Sequence, residues 1–225
     1  MRHSLALACL ALLAACASLP GARHASFVDA ATVVPGLVVE MRYAGSHNFV
    51  GRPVDGYRRP ICLLNRPAAE ALAQVQRDLA PEGLGLKVFD CYRPRRAVAD
   101  FARWARDLGD TRTKAEFYPD VDKTQLFKLG YIAERSGHSR GSTLDLTLVR
   151  LGPSPAELDM GSHFDLFSPV SWPSDRTVGP EAQANRDRLA AAMAHRGFKP
   201  LQQEWWHFTL IAEPYPDRYF DFPVR

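Results

Sequence analysis

The sequence predicts an α+β fold, organised as a single domain with a mainly antiparallel sheet flanked by helices. Its 225 residues are enough for one complete hydrophobic core. Stretches with the period of amphipathic helices are mixed with short apolar or alternating stretches that are typical of strands. These stretches do not follow the regular strand–helix–strand order of a parallel sheet, which favours the α+β class.

The N-terminal segment, residues 1–15, predicts an export signal that does not belong to the folded domain. Arg2 and His3 form a short positive start, and residues 4–15 are rich in leucine and small side chains. This run is too short to span a bilayer as a stable helix. It ends in Leu-Ala-Ala-Cys, which resembles the lipobox of bacterial lipoproteins and implies cleavage before a lipidated Cys16. The alternative is an ordinary signal peptide cut nearby, with Cys16 incidental.

The resemblance to lipoproteins also implies a location. Ala17 follows the cysteine, which implies delivery to the outer membrane. We expect an exported lipoprotein of the cell envelope, on the periplasmic face of the outer membrane, that contacts the membrane only through its lipid. Residues 16–26 would be the lipidated cysteine and a linker, and residues 27–225 the folded domain. The net charge of +3 is small and the basic residues are scattered, so we expect no nucleic-acid partner.

The remaining cysteines are interpreted in that compartment. Cys9 leaves with the signal and Cys16 carries the lipid, so Cys62 and Cys91 are the only pair left. Disulfides persist in oxidising compartments, and we expect these two residues to be bridged. The alternative is two buried free thiols.

Three helices are predicted. The first begins at Asn65, a suitable N-cap with Pro67 in the first turn, and it is interrupted by Gly83 and Gly85. The second begins at Pro94 and carries an apolar stripe, which consists of Val98, Phe101, Ala102, Ala105 and Leu108. The third covers residues 180–196 and is closed by Gly197.

Three strands are predicted as well. Residues 86–91 form an apolar run, and residues 205–211 form a run of bulky side chains. Residues 142–148 alternate between leucine and polar side chains, which predicts a strand that is half-buried. The aromatic, proline-rich tail at residues 215–225 is expected to pack on the surface of the domain.

Two histidines stand in surroundings that suit metal chemistry. His138 lies in a polar loop, and Asp145 follows on the polar face of a predicted strand, so a returning loop can bring them to one point. Glu204 and His207 form a second acid–histidine pair among aromatic residues. Two histidines and one carboxylate make a zinc site with an open position for water, and the remaining carboxylate is then free to act as a base.

Each of these features also has a plainer interpretation. A histidine in a loop is most often a hydrogen-bonded surface residue, Asp145 could pair with an arginine, and Glu204 could be a structural carboxylate. Among the other histidines, His195 is expected to be solvated, while His47 and His163 lie in loops and stay open as candidates.

Longer motifs decide between these interpretations. The pattern Ser-x-His-x-x-Gly-x-x-x-Asp occupies residues 136–145, and Glu-x-x-His occupies residues 204–207. Around them lie Tyr43, Asn-Phe-x-Gly-x-Pro-Val-Asp-Gly-Tyr at residues 48–57, Asp-x-Tyr-Arg-Pro at residues 90–94, Met-Gly-Ser at residues 160–162, Phe-Asp at residues 164–165, Glu-Pro-Tyr-Pro at residues 213–216 and Tyr-Phe-Asp-Phe-Pro-Val at residues 219–224. Together they resemble the LAS-type zinc peptidases, which act on bacterial wall peptides, and more closely the VanX-type D-alanyl-D-alanine dipeptidases.

The resemblance implies a role for each residue of a zinc site at the sheet. The ligands of one Zn²⁺ per chain would be His138, Asp145 and His207. Glu204 would be the catalytic base, and Arg93 would stabilise the transition state. The residues around the amino end of a small D-amino-acid dipeptide would be Tyr43, Ser136 and Asp165. The folded domain would hydrolyse D-alanyl-D-alanine to free D-alanine, in cell-wall peptide turnover or recycling.

Two other functions remain as alternatives. One is a D,D-carboxypeptidase or endopeptidase that acts on longer peptidoglycan peptides, and the other is a binding lipoprotein with a non-catalytic zinc. Asp165 and Tyr43 favour the dipeptidase because they would close the site around an amino end. Glu204 argues against the binding protein, since a purely structural zinc site needs no spare base.

Overall fold

A computed structural model describes residues 23–225 of the chain, and the predicted signal and the lipidation site at Cys16 lie outside these residues. The α-helices are α1 (Arg66–Leu79), α2 (Arg95–Arg106), α3 (Lys114–Phe117) and α4 (Pro180–His195). The strands are β1 (Phe27–Asp29), β2 (Val38–Val39), β3 (Leu63–Asn65), β4 (Leu84–Asp90), β5 (Thr143–Arg150), β6 (Ala156–Glu157), β7 (Phe198–Leu201) and β8 (Glu204–Leu210). No helix within residues 23–225 is both long and apolar enough to cross a membrane.

The main sheet carries the core and confirms the α+β prediction. Its strands follow the order β2-β4-β5-β8-β7, with β6 paired to β5 beside this path. Only β2 and β4 run parallel to each other; the other pairs of this sheet are antiparallel, as expected. Strands β1 and β3 form a separate antiparallel pair. Helices α1 and α4 contact each other and lie against this sheet.

Helix α1 forms where its sequence predicts it. The side chain of Asn65 accepts a hydrogen bond from the backbone N–H of Ala68 at 3.1 Å, which satisfies one of the free donors of the first turn. Pro67 lies in that turn, where its missing N–H costs nothing. The inward-facing residues of α1 are buried, and one of them, Gln76, accepts a hydrogen bond from the backbone of Leu86 in β4.

The prediction that β5 is half-buried was wrong. Leu144, Leu146 and Leu148 are buried as expected, but Thr143, Asp145 and Thr147 on the other face are buried too. The reason is the position of β5, which lies in the middle of the sheet between β4 and β8. The polar alternation therefore marks a second buried face that holds functional groups, and it does not mark contact with solvent.

Two further predictions need correction. Leu108 does not belong to the apolar stripe, because α2 ends at Arg106 and the Leu108 side chain is 54% exposed. The C-terminal tail does not simply lie on the surface: Phe220, Phe222 and Val224 are buried. The hydroxyl of Tyr92 donates a hydrogen bond to the backbone carbonyl of Phe222 at 2.9 Å, so the tail completes the core next to β4.

Cys62 and Cys91 form a disulfide in the structure, with their Cα atoms 5.3 Å apart. Both cysteines are fully buried. Cys62 immediately precedes β3, the strand that leads into α1. Cys91 immediately follows β4, the strand that leads to Arg93. The bridge therefore joins the end of β4 to the start of β3.

Candidate metal centre and active site

Three potential metal ligands converge where strands β4, β5 and β8 lie side by side. In the sheet register, Asp145 of β5 stands opposite His207 of β8 and opposite Asp90 of β4. His138 approaches from the loop before β5. The Nε2 atom of His138 and the Nδ1 atom of His207 lie 3.3 and 3.1 Å from Oδ1 of Asp145. Across the described residues, His138, Asp145 and His207 are the one such group that could hold a metal ion.

The loop that carries His138 is shaped by local sequence. A short 3-10 helix, Gly137–Arg140, begins after Ser136, whose hydroxyl accepts a hydrogen bond from the backbone N–H of His138 at 3.3 Å. The loop ends at Gly141, which has a φ of 82° in the left-handed region. A Cβ atom at this position would overlap the ring of Phe27, so only glycine fits here.

A backbone contact selects the tautomer of His138. Its Nδ1 atom lies 2.7 Å from the carbonyl oxygen of Cys91. Because a carbonyl can only accept a hydrogen bond, Nδ1 carries the proton and the lone pair of Nε2 points towards Asp145 and His207. This is the arrangement that a metal-binding imidazole requires.

The three atoms have the spacing of zinc ligands. Tetrahedral ligands at about 2.0–2.1 Å from zinc are separated from one another by about 3.3 Å. Nε2 of His138 lies 3.3 Å from Nδ1 of His207, and both lie within that distance of Asp145. Oδ1 of Asp145 is buried and accepts no hydrogen bond from the described residues. An unsatisfied buried carboxylate oxygen between two imidazoles fits a divalent cation, and nitrogen and oxygen ligands without a thiolate suit zinc of the catalytic kind.

The electrostatics of the chain alone also point to a cation at this position. Burial raises the pKa of Asp145, but the two adjacent imidazoles outweigh this effect and hold the pKa below its usual range. Burial lowers the pKa of His207, but Asp145 and Glu204 outweigh it and raise the pKa to about 9. The pocket therefore favours positive charge among its carboxylates, which either a proton or a metal ion can supply.

Glu204 is the second carboxylate beside the ligand set. It is the first residue of β8, and its Oε2 atom lies 3.4 Å from Nδ1 of His207. Its side chain is 21% exposed, whereas that of Asp145 is 2% exposed. Glu204 therefore lies next to the metal position without belonging to the ligand group, and it faces the space that a substrate and water can reach.

Arg93 is held rigidly over the ligands. Its Nε atom donates to Oδ2 of Asp90 at 2.9 Å, and its Nη2 atom lies 3.5 Å from Oδ2 of Asp145. The guanidinium also lies 5.1 and 5.0 Å from the ring centres of Tyr43 and Phe101. Burial lowers the pKa of Arg93, but Asp90 and its other neighbours outweigh it and raise the pKa well above the usual value, so the side chain stays charged.

Asp90 and Tyr57 are functional residues that the sequence analysis did not assign. Asp90 is fully buried, accepts a hydrogen bond from the Tyr57 hydroxyl at 2.6 Å and lies 3.4 Å from Nδ1 of His138. Its carboxylate thus supports both Arg93 and the His138 ligand. The available signal was an acidic residue at the end of a strand that is apolar apart from Lys87, inside a motif that also contains Arg93.

Tyr43 and Asp165 form a buried acidic pair in the same site. The Tyr43 hydroxyl donates to Oδ2 of Asp165 at 2.8 Å. Asp165 is buried and has a φ of 64°, a conformation that non-glycine residues seldom adopt and that aspartate tolerates better than most. Burial, followed by the charge of Asp145, raises the pKa of Asp165 well above its usual range. A cation placed against this carboxylate would relieve that unfavourable charge.

One cavity of about 270 Å³ connects these groups. The eight residues predicted for metal binding, catalysis and substrate binding all line it: Tyr43, Arg93, Ser136, His138, Asp145, Asp165, Glu204 and His207. The cavity is smaller than the range of about 300–1,000 Å³ that is usual for sites of drug-sized ligands. The histidines left open by the sequence lie elsewhere: His47 pairs with Glu116 at 2.6 Å, and His163 contacts the backbone of Phe164.

An α+β fold with a His–Asp–His ligand group, a free carboxylate beside it and a fixed arginine above it defines a metal-dependent hydrolase. The comparison with known families agrees with this class. The sequence profile described as D-Ala-D-Ala dipeptidase matches residues 23–225, and the chain belongs to this peptidase family.

Curated relatives match almost over their full length. D-alanyl-D-alanine dipeptidase of Streptomyces coelicolor is 44% identical over 200 residues, which cover 88% of this chain and 97% of the relative. The protein of the same name from Enterococcus faecium is 40% identical over 89% of this chain and 98% of the relative. The Escherichia coli protein of that name is 35% identical over 84% of this chain and 87% of the relative.

Proposed function

We propose that this chain is a zinc dipeptidase that hydrolyses D-alanyl-D-alanine to two molecules of D-alanine. The observation that carries the proposal is the single small cavity in which the His138–Asp145–His207 group and the Asp165–Tyr43 pair face the same space. Such a cavity accepts a short substrate whose amide bond lies at the metal and whose ammonium lies at Asp165. The names of the relatives support the same substrate.

The ligand roles follow from the geometry described above. His138, Asp145 and His207 would hold one zinc ion, which when bound lowers the pKa of water towards about 7 and polarises a carbonyl group. The proton on Nδ1 of His138 keeps Nε2 available as a ligand. Glu204 remains outside the ligand group, and its carboxylate can accept the proton of the attacking water and deliver it to the leaving amine.

Arg93 stabilises the charge that develops on the carbonyl oxygen during attack. Its guanidinium is already ordered by Asp90 and by two aromatic faces, so little reorganisation is needed during the reaction. Removal of a comparable preorganised donor in other enzymes costs about 3–4 kcal/mol of barrier, or roughly 100- to 1,000-fold in rate.

The pair of Asp165 and Tyr43 explains selection of a free amino end. A substrate ammonium at Asp165 forms an ion pair in a buried place and offsets the cost of burying this carboxylate. An acylated amine, as in any longer peptide, would leave Asp165 buried without a cationic partner. The carboxypeptidase alternative is therefore disfavoured by the same two residues.

We also propose the export and lipidation of the chain. The support is the signal-like segment at residues 1–15 followed by Cys16, and a disulfide that suits an oxidising compartment. Metabolic labelling with palmitate tests this proposal, because replacing Cys16 with Ala would abolish the label on a lipoprotein. A labelled Cys16→Ala protein, or an unlabelled wild-type protein, would contradict it.

Three substrates test the dipeptidase activity. Zinc-loaded protein is incubated with D-Ala-D-Ala, with N-acetyl-D-Ala-D-Ala and with a pentapeptide that ends in D-Ala-D-Ala, and released D-alanine is measured. We expect kcat/KM for the two blocked substrates to be at least about tenfold lower, since each leaves Asp165 without its charged partner. Equal turnover of all three substrates would support the carboxypeptidase instead.

The Asp165→Asn variant is the matched control for this experiment. It keeps the shape of the side chain but removes its charge, so the preference for the free dipeptide should largely disappear. If the variant retained the full preference, Asp165 would not be the group that recognises the ammonium.

A further inference from the structure

The substrate proposed above has two charged ends, and the groups already assigned account for only one of them. Asp165 and Tyr43 bind the ammonium, and the metal ligands, Glu204 and Arg93 act on the amide bond. The C-terminal carboxylate still needs a partner. Among the described residues that line the cavity, the arginines are Arg93 and Arg135, and no lysine is present.

Arg93 is not free to take a second carboxylate. Its guanidinium already contacts Asp90 and Asp145, and it lies 5.1 and 5.0 Å from the ring centres of Tyr43 and Phe101. Its remaining donor capacity is assigned above to the carbonyl oxygen of the scissile bond, so the substrate carboxylate needs a different partner.

Arg135 has the opposite character. It lines the catalytic cavity and also an adjoining outer groove of about 670 Å³, so it lies at the opening between the two. Within residues 23–225 it forms no ion pair, and its neighbour Glu134 pairs with Arg106 at 2.6 Å. Of the other acidic residues in the groove, Asp221 is paired with Arg96, and Asp217 forms no ion pair with Arg135. Arg135 is therefore an arginine at the mouth of the cavity whose charge is not matched by a carboxylate.

The guanidinium of Arg135 is nevertheless held in place. It lies 4.1 Å from the centre of the Tyr219 ring, within the range of a cation–π interaction. Stacking leaves the N–H groups at the edge of the guanidinium plane free, and these are the donors that bind a carboxylate in a bidentate way. Arg135 also directly precedes Ser136 in the loop that supplies the His138 ligand, whereas Asp165 comes from a separate segment.

We propose that Arg135 binds the C-terminal carboxylate of the dipeptide and makes the enzyme selective for substrates that end in a free carboxylate directly after the scissile bond. This inference rests on the proposed dipeptidase function. It assigns the second charged end of the substrate and makes length selection two-sided, since Asp165 requires a free amine and Arg135 requires a free acid.

A C-terminal amide separates this role from general effects on activity. Initial rates are measured for D-Ala-D-Ala and for D-Ala-D-Ala amide, with wild-type protein and with Arg135→Ala, Arg135→Lys and Arg95→Ala. Arg95 is the matched control because it is an exposed arginine that lines the same outer groove but not the cavity. Circular dichroism and zinc content confirm that each variant is folded and loaded.

We expect wild type and Arg95→Ala to prefer the acid over the amide by at least about tenfold in kcat/KM, the usual effect of one hydrogen bond to a charged group. Arg135→Ala should raise KM for the acid by about the same factor, with little change in kcat and no change for the amide. Arg135→Lys should restore part of the preference, since it keeps the charge but not the two-pronged geometry.

The outcomes distinguish the two proposals. A wild-type enzyme that cleaves acid and amide equally well would refute the role of Arg135 and leave the dipeptidase function intact. The same conclusion follows if Arg135→Ala weakens both substrates equally, because a structural defect has that effect. A chain that releases D-alanine from neither substrate would contradict both proposals.

Discussion

The disulfide between Cys62 and Cys91 allows a quantitative prediction about stability. The two residues are 29 positions apart, so the bridge closes a loop of about 30 residues. In the chain-entropy model a loop of about 30 residues stabilises the folded state by about 3.6 kcal/mol, because the bridge restricts the unfolded chain. For a domain of this size, that difference corresponds to a shift of the melting temperature by roughly 7–14 °C.

The comparison is cleanest with one and the same chain in its oxidised and reduced forms. Urea unfolding of wild-type protein, with and without reductant, measures the free energy of unfolding without changing any side chain. We expect reduction to lower this free energy by about 3.6 kcal/mol and to raise the m-value, since the reduced unfolded chain exposes more surface. Because both sulfurs are fully buried, reduction should require the chain to open first.

Reduction of the disulfide should affect zinc affinity less than it affects the free energy of unfolding. Cys91 supplies the carbonyl that orients His138, but the backbone next to the bridge is also held by hydrogen bonds. Tyr92 N–H donates to the carbonyl of Leu63, and Ala30 N–H donates to that of Cys62, each at 2.8 Å. We therefore expect the zinc affinity of the reduced, folded protein to fall by less than about tenfold. Removal of a group that orients a metal ligand usually lowers metal affinity by at least about that factor.

Two results would refute this reasoning. Free energies of unfolding that agree within about 1 kcal/mol between the oxidised and reduced chains would show that the bridge does not restrict the unfolded state as the loop model requires. Complete alkylation of both thiols in denatured protein that was purified from the periplasm without reductant would show that no bridge forms.

Three other perturbations test the site. Glu204→Gln should retain zinc and lose at least about 100-fold in kcat, because the substitution removes the base but leaves all three metal ligands in place. Normal turnover by this variant would exclude Glu204 as the base. The affinity of the metal-free protein for zinc, measured by chelator competition, should rise about tenfold per pH unit up to about pH 9 and then level off. The reason is that the pKa of His207 is raised to about 9, and the proton on His207 must leave before zinc binds. A zinc affinity that does not change between pH 6 and pH 8 would contradict this. Gly141→Ala should lower the free energy of unfolding by about 2–5 kcal/mol, through backbone strain and overlap with Phe27. The control Gly83→Ala has a similar positive φ but open space around it, so it should lower the free energy of unfolding by only about 1–2 kcal/mol. Denaturant unfolding compares the two variants, and equal losses would show that the contact with Phe27 does not matter.

Local sequence predicted the features that depend on neighbours along the chain. The cap at Asn65 and the apolar spacing after it correctly located helix α1, because capping and amphipathic period act within a few turns. The pairs His138 with Asp145 and Glu204 with His207 were each recognised as single motifs. The resemblance to a known family then joined these motifs, which composition and periodicity alone did not do.

Long-range contacts were not predictable in the same way. The carboxylate of Asp90 accepts a hydrogen bond from Tyr57, which lies 33 positions earlier in the chain. The burial of the polar face of β5 and of the tail also depended on which elements came to cover them. Likewise, the sequence around Arg135 does not reveal that Glu134 pairs with a different arginine.

The sequence by itself therefore determined the fold class, the main helices and strands, and the chemical groups of the site. Only the tertiary structure decided how these groups are arranged: Asp145 faces His207 because β5 and β8 pair in one particular register, and a shift by one residue would turn one of the two to the other face of the sheet. Register and burial arise from backbone hydrogen bonds and packing between distant segments. No local pattern of residues encodes them, because the free energy that selects them is shared across the whole core.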